Sequence, residues 1–130
     1  MDKSEIKTYK KYFKSLAEYM ARNEYTTKPF PKIIFDNREQ KGVFVYTGFF
    51  DPQAKGVRLF INGRHIKDIL RTWAHELIHW KQDKDGVIEK TPYKGNTIIN
   101  DEALIKLEKE AYLKGNIAFR KWTEIENNKE

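Results

Sequence analysis

The chain contains no cysteine. That excludes disulfides and thiolate metal ligands, and a reducing compartment is the natural setting. No apolar run is long enough to span a bilayer. The start, Met1-Asp2-Lys3-Ser4-Glu5, leads into a charged amphipathic segment, not the apolar core of a signal peptide. A cytoplasmic protein without membrane contact is the expectation. Histidine is scarce, three in 130 residues, and none follows His79. Internal repeats and low-complexity tracts are lacking. Acidic residues number 19 against 25 basic ones, leaving a net charge of +6. The lysines that carry it are scattered among glutamates without a dense basic block. They read as solvated surface in preference to a nucleic-acid face. What is present, 39% hydrophobic and 14% aromatic residues, suits a globular chain with its own core, most simply one domain over 1–130.

In chain order, Ser4 to Arg22 predicts a helix with the stripe Ile6, Tyr9, Phe13, Leu16, Ala17 and Met20. Asn23 to Pro31 is a connector. Three short strands follow: Lys32 to Phe35, Val43 to Phe49 and Val57 to Ile61. Turn-rich links at Asp36 to Gly42 and Asp51 to Gly56 suggest a small, mainly antiparallel meander. A helix from Ile66 to Gln82 comes next. After it lies a long irregular segment, Asp83 to Asn100, then a last helix from Asp101 to Glu126 with Asn100 as N-cap. Lys114-Gly115-Asn116 is its expected weak point. The fold class is therefore α+β.

The Ile66 to Gln82 helix contains His75-Glu76-Leu77-Ile78-His79. Residues four apart stand one turn apart on the same helix face, so His75 and His79 can grip one ion from a rigid support. They share their sector with Asp68 and Thr72, with Glu76 at its edge and apolar surface on both flanks, which suits the floor of a cleft. Zinc fits neutral imidazole ligands, and a catalytic site uses three protein ligands and a water. Zinc lowers the pKa of such a water from about 15.7 to near 7. Glu76 is the base that would take its proton and pass it to a leaving amine.

With no cysteine and no later histidine, the third ligand is a carboxylate or else His65 upstream. On the last helix the apolar stripe is Leu104, Leu107, Ala111, Ala118, Phe119, Trp122 and Ile125. Glu108 falls inside it, and a carboxylate on a buried face needs a cation. Glu110, outside the stripe, is the alternative.

His75-Glu76-Leu77-Ile78-His79, followed on a later helix by Glu108-Lys109-Glu110-Ala111, resembles the gluzincin branch of zinc metallopeptidases. The likeness is greatest to minimal single-domain members, including small phage- and bacterium-encoded proteins. It implies a zincin-like fold, Zn2+ held by His75, His79 and Glu108, and hydrolysis of peptide or protein substrates with Glu76 as base. It also implies an edge strand that pairs with an extended peptide, for which Val57, Arg58, Leu59, Phe60 and Ile61 are the candidates. Gluzincins often carry an aspartate four residues after the ligand glutamate; here that position is Tyr112, whose hydroxyl could orient a histidine, meet an oxyanion or simply pack. Failing Tyr112, Asp68 is on the side of the histidines.

Other readings attach to single residues. Tyr93 is a candidate oxyanion donor, Phe49-Phe50-Asp51-Pro52 a candidate pocket lining, and Arg64 a candidate carboxylate binder, each set against an ordinary loop, core or surface role. Two alternatives to a simple peptidase are a SprT-like DNA-associated protease and a binding module stapled by metal. The first family uses a third histidine after the motif, which this chain lacks. The second has no use for Glu76 and usually shows four protein ligands.

Overall fold

The computed structural model describes residues 3–42, 46–51, 54–86 and 102–129. Their order is α1 (Lys3–Arg22), β1 (Lys32–Asp36), β2 (Gly48–Asp51), β3 (Gly56–Phe60), α2 (Ile66–Lys84) and α3 (Glu102–Asn127). This is an α+β arrangement of three helices and one small mixed sheet.

The apolar stripe of α1 buries Phe13, Leu16, Ala17 and Met20, while Lys7, Lys10, Lys11 and Lys14 stay outside. Two indoles fasten it: Trp73 Nε1 donates to the Phe13 carbonyl at 3.0 Å, and Trp122 Nε1 to Ser15 Oγ at 2.9 Å. The connector after α1 is tied to α2. Thr26 Oγ1 donates to the Leu77 carbonyl at 2.7 Å, and Trp80 Nε1 to the Pro29 carbonyl at 3.0 Å. One hydrophobic cluster joins all three helices and β3.

The sheet departs from the expected meander. Its order is β1-β3-β2, with β1 parallel to β3 and β2 antiparallel to it. β1 and β2 are therefore not a hairpin. The connection 37–47 is long enough to carry the chain across, leaving a slot that β3 fills. Val57, Leu59, Phe60 and Ile61 are all buried, as a strand covered on both faces requires. β2 also starts later than Val43. The Gln40 side-chain amide takes both backbone groups of Tyr46, each at 2.8 Å, so a side chain stands there in place of a strand. Val43 to Val45 lie outside the described residues. At the end of β1, Asp36 accepts from Arg38 Nη2 at 2.7 Å and Arg58 Nη1 at 3.1 Å. Those bonds, from Arg38 first and Arg58 second, pull its carboxyl down to about 2.

α3 runs unbroken through Lys114-Gly115-Asn116. Gly115 is buried against α2, and a Cβ there would stand 3.1 Å from His75 Cα and 3.2 Å from its backbone N. The glycine costs about 1 kcal/mol of helix propensity but lets two backbones touch beside the motif. The same device seats β2: a Cβ at Gly48 would meet Thr72 Cγ2 at 2.6 Å. No helix among the described residues is long and apolar enough to cross a membrane.

Candidate metal centre

α2 turns Ile69, Leu70, Trp73, Ala74, Leu77 and Ile78 into the core. That orientation leaves His75 and His79 facing outward toward α3, their rings 4.9 Å apart. Glu108 of α3 meets both. Its Oε1 lies 2.6 Å from His79 Nε2 and its Oε2 lies 3.6 Å from His75 Nε2. One donor atom from each of the three residues falls within 4.8 Å of the others. Glu110 is turned away, accepting from Gln82 Nε2 at 3.0 Å and paired with Lys114 at 3.3 Å.

The donor set fits a metal ion. Bonds of about 2.0–2.2 Å in a tetrahedron hold neighbouring donors roughly 3.4 Å apart. The His75–Glu108 spacing already matches. The His79–Glu108 spacing opens to that value by a small rotation of Glu108, whose side chain is 62% exposed. This exposure corrects the expectation of a buried carboxylate. The first turns of α3 overhang solvent, and the residues buried along α3 begin at Ala111. The imidazoles of His75 and His79 nevertheless hold the Glu108 carboxyl far below the usual carboxylate range. Burial opposes charge on His79, yet Glu108, Glu76 and Gln82 together raise its pKa.

Gln82, which the motif does not include, orients His79. Its Nε2 donates to the Leu107 carbonyl at 3.1 Å and to Glu110, so its Oε1 faces His79 Nδ1 at 2.8 Å. That carbonyl oxygen can only accept, which puts a proton on Nδ1 and leaves Nε2 as the ligating nitrogen. The signal was a glutamine three residues past His79, on the side of the helix that meets α3. Neither Tyr112 nor Asp68 does this. Tyr112 is exposed at the rim of the cleft, and the Asp68 carboxylate is taken by Arg71 at 2.8 Å.

Compared with known protein families, curated proteins and solved structures, the chain matches none. The site is therefore read from its own residues.

A cleft of about 1140 Å³ opens over the triad. Glu76 sits in its floor, only 7% exposed, and burial raises its pKa against the opposing pull of His79 and His75. One wall is Tyr46 to Phe50, the other Leu104, Leu107 and Tyr112 of α3. Val57, Arg58, Leu59, Phe60 and Ile61, expected at an edge over the cleft, are not on it. β3 is the central strand, paired on both sides, and the strand bordering the cleft is β2.

The remaining candidates fall as follows. Phe49 lines the cleft and packs on Phe60, while Phe50 lines it and meets the Trp80 ring edge-on at 5.6 Å. Arg64 lines the cleft and is held fast there. Its four Nη contacts go to the carbonyls of Thr47, Phe60 and Asp68 and to Thr72 Oγ1, at 2.8–3.0 Å, strapping the sheet to the start of α2. His65 caps α2, its Nδ1 accepting from the Lys67 N–H at 3.1 Å, and stands apart from the triad. Tyr93, Pro52 and Asn100 lie outside the described residues.

Proposed function

We propose that this chain is a zinc-dependent peptidase of the zincin type, hydrolysing peptide bonds with Glu76 as general base. The observation that carries the reading is a buried carboxyl, Glu76, on the floor of an open cleft beside a His75–His79–Glu108 donor set. A purely structural metal would need neither the cleft nor the acid next to it. Zinc, when bound, supplies Lewis-acid polarisation of the scissile carbonyl and a water of lowered pKa. With a metal bound there, Glu76 would take a proton from water and hold it for the leaving amine; burial raises its carboxyl pKa, the direction that favours holding that proton. His79 is kept in one tautomer by Gln82, so the donor geometry is set before substrate arrives. A substrate in extended form runs along β2, whose Gly48, Phe49 and Phe50 border the cleft. Tyr112 faces the same space one turn beyond Glu108 and is the candidate for contact with the reacting carbonyl.

The test is metal analysis and cleavage of a mixed peptide library. Wild type is expected to carry zinc near one per chain and to cleave. Glu76→Gln keeps its zinc and loses roughly a hundredfold or more in rate, whereas Glu108→Ala loses zinc affinity. Full affinity in Glu108→Ala removes that residue from the ligand set. A zinc-loaded wild type that cleaves nothing across a broad library refutes the peptidase reading.

A further inference from the structure

A second hollow, of about 600 Å³, lies between α1 and β1. It shares no residue with the cleft, and the two border opposite edges of the sheet. Three observations bear on what it takes. β1 pairs only with β3, so among the described residues no strand lies along its outer edge. Ile33 and Phe35, alternate residues of β1, line the hollow, with Trp73 behind them. Every charged residue around it is a lysine: Lys10, Lys11 and Lys14, all exposed on α1. The neighbouring carboxylates make their direct ion pairs with other cations, Glu18 with Lys28 at 2.8 Å, Asp36 with Arg38 and Arg58, and Glu126 with Lys129 at 2.9 Å.

We infer that this hollow is a docking site for an extended acidic segment of a partner protein. The segment adds beside β1 as a strand, its backbone bonding the outer edge. The side chains on the face it turns toward α1 are apolar where they cover Ile33, Phe35 and Trp73 and carboxylates where they meet Lys10, Lys11 and Lys14. A bilayer is too flat to enter a hollow flanked by a helix, and a nucleic acid would leave the apolar wall uncovered. The inference does not depend on the metal centre.

The experiment measures fluorescence anisotropy against the whole chain of a labelled peptide in which every second residue is threonine and the residues between are valine and glutamate in turn, so that one strand face carries both. Saturable binding that weakens with salt is expected. Affinity falls roughly tenfold in Lys10→Glu/Lys14→Glu, and it stays unchanged in Lys106→Glu/Lys121→Glu on the exposed side of α3. Both double variants change exposed helix positions, and circular dichroism checks their fold. N-methylation of alternate peptide amides abolishes binding if the segment adds as a strand. Four results overturn the inference: no binding, equal binding of a block peptide of the same composition, undiminished binding to Lys10→Glu/Lys14→Glu, or preference for duplex DNA or anionic vesicles lost in that same variant.

Discussion

Replacing Gly115 with alanine sets two opposed effects against each other. In an exposed helix the change would stabilise by about 1 kcal/mol through helix propensity. Here the added Cβ lands 3.1 Å from His75 Cα and 3.2 Å from His75 N, with Ala74 C at 3.5 Å. All three neighbours are backbone, so no rotamer change relieves the contact and the two helices must separate by a few tenths of an ångström. Overpacking of this kind costs about 1–3 kcal/mol. The net expectation is a loss of about 1 kcal/mol, or roughly 4 °C in melting temperature for a domain of this size. The separation also draws Glu108, two turns back along α3, away from His75. Zinc affinity should therefore fall beyond what the stability loss explains. Thermal melting by circular dichroism without metal gives the first quantity, and competition with a chromophoric chelator gives the second. A Gly115→Ala variant that melts at or above wild type would refute the reasoning, because propensity would then outweigh a contact too loose to matter. Gly115→Val, with more volume at the same point, should be worse on both counts.

Gln82→Leu should lower zinc affinity about 10- to 100-fold by freeing the His79 ring, read by the same chelator competition; unchanged affinity would remove Gln82 from the site. Asp36 has a folded-state pKa below its ordinary value, so the stability it contributes is complete above about pH 4 and lost as pH falls through about 2. Asp36→Asn should accordingly be less stable near neutrality and lose less on acidification across that window, followed by urea melts at several pH values. Arg64→Met removes one donor from each of the Thr47, Phe60 and Asp68 carbonyls and should cost about 2 kcal/mol in urea unfolding while leaving His75, His79 and Glu108 untouched.

The helices were legible because their signals are local. The stripe of α1, the faces of α2 and the apolar residues of α3 each set bounds within a residue or two of those observed. His75, Glu76 and His79 were legible for the same reason, since a spacing of four has one meaning on a helix. Glu108 was reached through a premise that does not hold: it faces the histidines from an exposed overhang, not from a buried stripe. Sheet order was not legible, because pairing depends on where the 37–47 connection leads. Val57, Leu59, Phe60 and Ile61 are apolar on both strand faces, the pattern of a central strand and not of an edge. Gly115, expected to weaken the last helix, instead lets it approach His75, and the role of Gln82 rests on its anchorage to the Leu107 carbonyl across the α2–α3 interface, which no spacing along the chain announces.

The position of β3 has a consequence for assembly. β1 and β2 are both made before it, and neither pairs with the other. A growing chain therefore carries two strands without a mate until Gly56–Phe60 emerges, after which both ladders close on that one strand. The antiparallel β2–β3 pair is local, whereas β1 closes a longer loop to reach the other side of the same strand. A single break in the sheet's middle strand, such as Leu59→Pro, would release the wall of the cleft and the wall of the lysine-rimmed hollow together.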